Sequence, residues 1–173
     1  MKVLLIQPPS STKYMDSIYM YEPLGLEYLG AGLKEDGHEV FLLDARLDPD
    51  YKEFFSSFQP DVVGLTGYTN HLNIVKNIAA NLKKINPKTY IIVGGHHATV
   101  KPEDFNIKDI DLLVLGEGVF TLREVLKARQ NNLSLENIPG LGIPGEKIKF
   151  TPKRPYTALD DLPFPDRSLT SKY

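Results

Sequence analysis

The chain contains no cysteine. That removes disulfides, a thiolate nucleophile, cysteine-based zinc sites and iron–sulfur ligation from these 173 residues. Neither sign of charge dominates. Twenty Lys and Arg face 22 Asp and Glu, a net charge of −2 that gives no basic footprint for nucleic acid. Long apolar runs are missing too. No stretch approaches membrane-spanning length, so no membrane insertion is expected. Residues 3–6 are too short for a signal-peptide core and are cut off by Gln7-Pro8-Pro9. The expectation is a cytoplasmic protein.

Two missing motifs narrow the field further. Residues 3–6 read as a buried strand, but Gln7-Pro8-Pro9-Ser10-Ser11 follows where a dinucleotide fold needs G-x-G-x-x-G. Asp44, at the end of the second strand, is then a turn or cap residue rather than a ribose ligand. A phosphorylated receiver domain needs acidic residues after strand one and a lysine after strand five, and both are lacking.

What is present is a chain of globular composition, 42% apolar and 24% charged, long enough for one domain with a real core. Residues 40–43, 62–65, 89–93 and 111–115 read as further short apolar strands. Helical patterns lie between them: Leu26, Leu29 and Leu33; Tyr51, Phe54, Phe55 and Phe58; Ile74, Val75, Ile78, Leu82 and Ile85. A last one follows with Val119, Leu122, Val125 and Leu126. Strands alternating with helices predict an α/β fold, a doubly wound five-stranded parallel sheet of flavodoxin-like order 2-1-3-4-5. Gly25, Gly30, Ala31 and Gly32 read as a helix surface pressed on the sheet. The long connection after the first strand, rich in Ser, Tyr and Met, reads as a lid or binding loop.

Helical periodicity ends near Arg129. Six of the thirteen prolines lie beyond it, Pro139, Pro144, Pro152, Pro155, Pro163 and Pro165. Residues 141–143 and 147–150 flank Pro144-Gly145-Glu146 as a hairpin. The expected division is 1–130 for a ligand-binding domain and 131–173 for a hairpin and linker, with the tail after Pro152 loosely attached.

In such sheets ligands sit outside the carboxyl ends of the strands. There the sequence places Thr66-Gly67-Tyr68-Thr69, Gly94-Gly95-His96-His97 and Gly116-Glu117-Gly118. Glycines let a ligand approach the backbone, and the hydroxyls and amides suit a large flat ligand with a phosphate-bearing tail. Three imidazoles and a carboxylate, His71, His96, His97 and Glu117, offer an alternative as a small metalloenzyme. Tight ligand spacing is absent, however, and adjacent histidines seldom share one ion. A flavin mononucleotide protein on the same fold is the other alternative.

Several segments carry a resemblance: Pro23-Leu24-Gly25-Leu26-Glu27-Tyr28-Leu29, Gly37-His38-Glu39-Val40, Val93-Gly94-Gly95-His96-His97-Ala98-Thr99 and Leu115-Gly116-Glu117-Gly118. Together they resemble the cobalamin-binding domain of cobalamin-dependent radical S-adenosylmethionine enzymes. Ile138-Pro139-Gly140-Leu141 and residues 160–166 resemble the segment before the radical domain. The resemblance implies cobalamin across the carboxyl ends of the strands, with its nucleotide tail beside strands three and four. Gln7, Pro8, Thr66, Gly67, Tyr68, Thr69, Gly94, Gly95, His96, His97, Gly116, Glu117 and Gly118 are the implied cofactor-binding residues. The Asp-x-His-x-x-Gly motif that supplies a cobalt-binding histidine in other cobalamin domains is absent. Cobalt therefore takes no firm protein ligand, and Tyr68 and His71 are the residues able to approach its lower face. The resemblance also implies a radical domain in cis, which would hold S-adenosylmethionine and the iron–sulfur cluster. With no cluster cysteines, this chain alone is expected to catalyse nothing. The whole enzyme would perform methyl transfer or ring-forming chemistry, with a tetrapyrrole among the candidate substrates.

Overall fold

A computed structural model of the protein describes residues 1–10 and 20–173. The lid or binding loop read after the first strand lies largely outside them, at residues 11–19. Five strands, β1 (Lys2–Gln7), β2 (Glu39–Asp44), β3 (Val62–Thr66), β4 (Tyr90–Gly94) and β5 (Leu112–Val114), run parallel. The sheet does not stop there. β6 (Leu141–Ile143) pairs antiparallel with β5, and β7 (Lys149–Phe150) pairs antiparallel with β6. The sheet is seven-stranded, ordered β2-β1-β3-β4-β5-β6-β7, which corrects the five-stranded expectation. The physical reason is at the edge. β5 would leave a row of unpaired amides and carbonyls, and the hairpin covers it.

Alternation along each strand sends side chains to two cores. Leu4, Ile6, Val63, Leu65, Ile91 and Val93 pack beneath α2 (Tyr51–Phe58) and α3 (Leu72–Ile85). Val3, Leu5, Val62, Ile92, Leu112 and Val114 face α1 (Leu24–Glu35) and α5 (Val119–Gln130). α4 (His96–Val100) is a single short turn after β4. Arg123 of α5 holds both oxygens of Asp36, at 2.6 and 2.8 Å, and clamps α5 to the end of α1. That guanidinium holds the Asp36 carboxyl below its usual range. Among the described residues no helix is long and apolar enough to cross a membrane.

The tail is not loose. Leu169 lies where Gly30 has no Cβ; a methyl built there would sit 2.3 Å from Leu169 Cδ1. Thr170 donates to Glu27 Oε1 at 2.5 Å, Lys34 pairs with Asp166 at 2.6 Å, and Arg167 pairs with Glu22. The Lys34 ammonium and Ser168 hold the Asp166 carboxyl below its ordinary value. The small residues of α1 thus serve more than the sheet. Gly30 receives the tail, and Gly32 faces Arg123 and Val119 of α5.

Candidate functional site

On the face toward α1 and α5, side chains shrink toward the carboxyl edge. Val62 gives way to Gly64, Ile92 to Gly94, and Leu112 to Val114 and Gly116. The volume they leave is an apolar cleft of about 260 Å³ between the sheet and the two helices. Leu5, Leu29, Ile92, Val114 and Leu122 form its walls, and Glu117 lies at its polar end. A second hollow, of about 530 Å³, spreads over the ends of β1 and β3. Gln7, Arg46, Tyr68 and His96 line it. The two hollows share Gly25, Leu26, Thr66 and Gly95, so they meet at the ends of β3 and β4.

Gly95 owes its identity to the fold. Its φ of +92° belongs to glycine, and a Cβ there would lie 2.6 Å from Thr66 Oγ1. Gly94 differs: a Cβ would meet nothing nearer than Val114 O at 3.4 Å. Glu117 accepts from the Thr157 amide through Oε2 at 3.3 Å, while its buried Oε1 has no hydrogen-bond partner among the described residues. Such a carboxylate oxygen is an acceptor awaiting a donor.

The histidines separate. His97 is buried in the other layer, Nε2 3.0 Å from Asp104 and Nδ1 3.1 Å from the Thr69 hydroxyl. The carboxylate can only accept, so the Nε2 proton faces Asp104. His71 is buried with Nδ1 accepting the Tyr68 amide at 3.3 Å. His96 is exposed beside the Tyr68 ring, centroids 6.2 Å apart. Among the described residues no three His, Asp or Glu side chains gather as a metal ion requires. Thus Gln7, Gly67, Tyr68 and His96 lie in the broad hollow; Gly94, Gly116, Glu117 and Gly118 lie in the cleft; Thr66 and Gly95 belong to both. Pro8, Thr69 and His97 line neither.

Residue-by-residue reading of the chain missed Gly64, Leu29, Arg46 and Leu162. Gly64 carried a signal, since an isolated glycine inside a buried strand marks a close approach. Arg46 carried none: it is aimed by Asp44, whose carboxylate it meets at 2.6 and 2.8 Å. Asp44 is accordingly a turn residue that also accepts the Arg46 amide.

A family model described as the B12-binding domain matches residues 17–126. The chain belongs to that family. An uncharacterized methyltransferase of Pyrococcus horikoshii is 31% identical over 98% of this chain and 39% of its own length. The anaerobic magnesium-protoporphyrin IX monomethyl ester cyclase of Synechocystis is 30% identical over 82% of this chain and 30% of its own. The chain therefore spans well under half the length of these relatives. The structure of the cobalamin-dependent S-adenosylmethionine radical enzyme OxsB with aqua-cobalamin bound shares the fold, with a TM-score of 0.77 at 22% identity. The match covers 99% of this chain and 25% of that one. The B12-binding fold accounts for the parallel sheet.

Proposed function

We propose that the chain holds cobalamin base-off, on behalf of a radical S-adenosylmethionine domain in the same polypeptide. The observation that carries this is the junction of a broad, polar hollow with a narrow, apolar cleft at Thr66 and Gly95. A corrin ring is broad and carries amide side chains; its nucleotide tail is narrow and ends in a flat base. Gln7, Tyr68 and His96 would hold the ring, and Gly94 would leave room for the tail to enter the cleft. Glu117 Oε1, which has no partner of its own among the described residues, would accept a hydrogen bond from a hydroxyl or amide of the cofactor. Gly116 and Gly118 leave room beside it. Thr69 and His97 act from behind, their hydrogen bond tying the turn after β3 to α4.

Tyr68, 65% exposed in the broad hollow, would be the residue free to approach the lower side of the cofactor, whereas the His71 ring is buried against its own turn. Bound cobalamin supplies a cobalt centre that carries a methyl group; the chain's own residues orient it and exclude water. Residues 1–130 supply most of the cofactor domain, the hairpin and tail of 131–173 complete its sheet and the wall of its cleft, and the chain beyond leads toward the radical domain. Methyl transfer or ring closure by the whole protein, with a tetrapyrrole among the candidate substrates, is supported by relatives named methyltransferase and cyclase.

The test is incubation of the purified chain with hydroxocobalamin, followed by desalting and absorption spectroscopy. A stoichiometric red complex with a base-off spectrum is expected. Nitrogen superhyperfine splitting from an axial imidazole in the reduced complex would overturn the Tyr68 assignment. A colourless protein, or one yellow with flavin, would overturn the whole proposal.

A further inference from the structure

Residues 157–173 bridge the gap between α5 and α1. On one bank the Thr157 amide donates to Glu117 Oε2, just before α5. On the other, Lys34 pairs with Asp166, Arg167 with Glu22, and the Thr170 hydroxyl donates to Glu27 Oε1. The far end reaches β2, where the Asp44 amide donates to the Tyr173 hydroxyl oxygen at 3.0 Å. Between the banks Leu162 becomes a wall of the cleft, so the segment lies across its mouth. Its fastening is slight for its length. Among the described residues one backbone–backbone hydrogen bond joins it to the body, from the Asp166 amide to the Glu27 carbonyl at 3.3 Å. The Lys34–Asp166 and Arg167–Glu22 pairs are partly exposed, where water screens them and they hold weakly. The apolar anchor is Leu169, half-buried over Gly30.

We propose that residues 157–173 form a strap that releases as a unit to load the cleft and closes again over its occupant, with Leu169 in its seat at Gly30 as the catch. This rests on the function proposed above and adds to it the conformational step by which the site is filled. The seat is built into the helix. Glycine inside α1 costs helix stability, and a Cβ at Gly30 would lie 2.3 Å from Leu169 Cδ1 but 3.7 Å from Leu5 Cδ1. The space is therefore kept for Leu169. A segment held by side chains and one knob can open with the sheet intact, as weakly fastened units of a fold do. Releasing it uncovers the gap between α1 and α5 without moving either helix. Because the strap bars exit as well as entry, loosening the catch speeds both and leaves the affinity nearly unchanged.

The experiment has two parts. Hydrogen exchange of the chain alone, read by mass spectrometry, is expected to show residues 157–173 exchanging together, roughly tenfold or more faster than β3 and β4. Stopped-flow absorption then follows the uptake of hydroxocobalamin and its release into a competing binder. Leu169→Ser should raise both rates about fivefold or more and leave Kd within about twofold of wild type. Gly30→Leu, which fills the seat from the helix itself, should do the same with the core kept full. Leu159→Ala, on the strap but 83% exposed, should change neither rate. Unchanged rates in both Leu169→Ser and Gly30→Leu overturn the inference. So does a faster release with unchanged uptake, which would make the segment a contact rather than a gate. Exchange of the strap only together with the sheet overturns it whether or not a corrinoid binds. Failure of the wild-type chain to take up hydroxocobalamin while the strap exchanges independently overturns the proposed function, and the loading role with it.

Discussion

The two faces of the sheet share a backbone but are built on opposite rules. Toward α2 and α3 the space is filled with aromatic rings. Phe41 and Phe54 lie 4.1 Å apart by centroid, Phe54 and Phe58 5.6 Å, and Phe55 is 2% exposed beneath them. Toward α1 and α5 the sequence spends glycine, with Gly64 and Gly94 on the strands and Gly25 and Gly118 on the flanking elements. Interiors are normally packed to crystal-like density, so an apolar hollow of this size in the layer toward α1 and α5 is a feature that asks for an occupant. The contrast supports a division in which the filled layer carries stability and the hollow layer receives the ligand proposed above.

The largest effect expected from that division is on the filled side. Phe55→Ala should cost about 3–5 kcal/mol, measured by urea denaturation, because the surrounding rings cannot collapse onto the gap. Leu29→Ala, on a half-buried wall of the cleft, should cost no more than about 1 kcal/mol, since that space is already open. Comparable losses at both positions would break the contrast between the layers.

The glycines at the junction give the next effect. Gly95→Ala should destabilise the fold by about 2–4 kcal/mol, combining a positive φ with a contact against Thr66. Gly94→Ala should stay within about 0.5 kcal/mol of wild type. Gly94→Leu should weaken cobalamin binding roughly tenfold or more with the fold retained, because its side chain grows into the cleft. Of the adjacent pair, only Gly94 is a clean probe of the ligand. Normal binding in Gly94→Leu would remove the tail from this cleft.

Much of the layered architecture was legible. Short apolar strands between amphipathic stretches fix a doubly wound sheet, and the paired glycines after Val93 point to the carboxyl edge. The rest depends on contacts that no local pattern encodes. The hairpin at residues 141–150 reads as a hairpin, but nothing in its own residues says that it pairs with β5. The proline-rich tail reads as a linker, because prolines and exposed polar residues say nothing of Leu169 reaching Gly30 across the sequence. His96 and His97 look alike in the chain. One turn of helix sends the first to the hollow and the second into the opposite layer, against Thr69 and Asp104.

The smallest expected effect concerns the buried polar groups of the two layers. On the filled side the His97 ring has a polar neighbour at each nitrogen. On the hollow side Glu27 of α1 is 0% exposed, and its Oε2 has no partner among the described residues. Burial, helped by the neighbouring Glu22 carboxyl, raises its carboxyl above the ordinary 4.5, outweighing the Thr170 hydrogen bond that favours the ionised form. A carboxyl that holds its proton more tightly folded than unfolded contributes stability below the ordinary carboxyl range. That contribution is lost as pH rises through the raised value. Glu27→Gln keeps an oxygen for Thr170 and has no proton to lose. The variant should therefore match wild type near pH 4 and be more stable at pH 7, by up to about 1 kcal/mol. Thermal melts of both proteins across that range read the difference directly. A wild type that gains on the variant as pH rises would mean that the Thr170 hydrogen bond, rather than burial, governs Glu27, making the docking of the C-terminal tail depend on the ionised carboxylate.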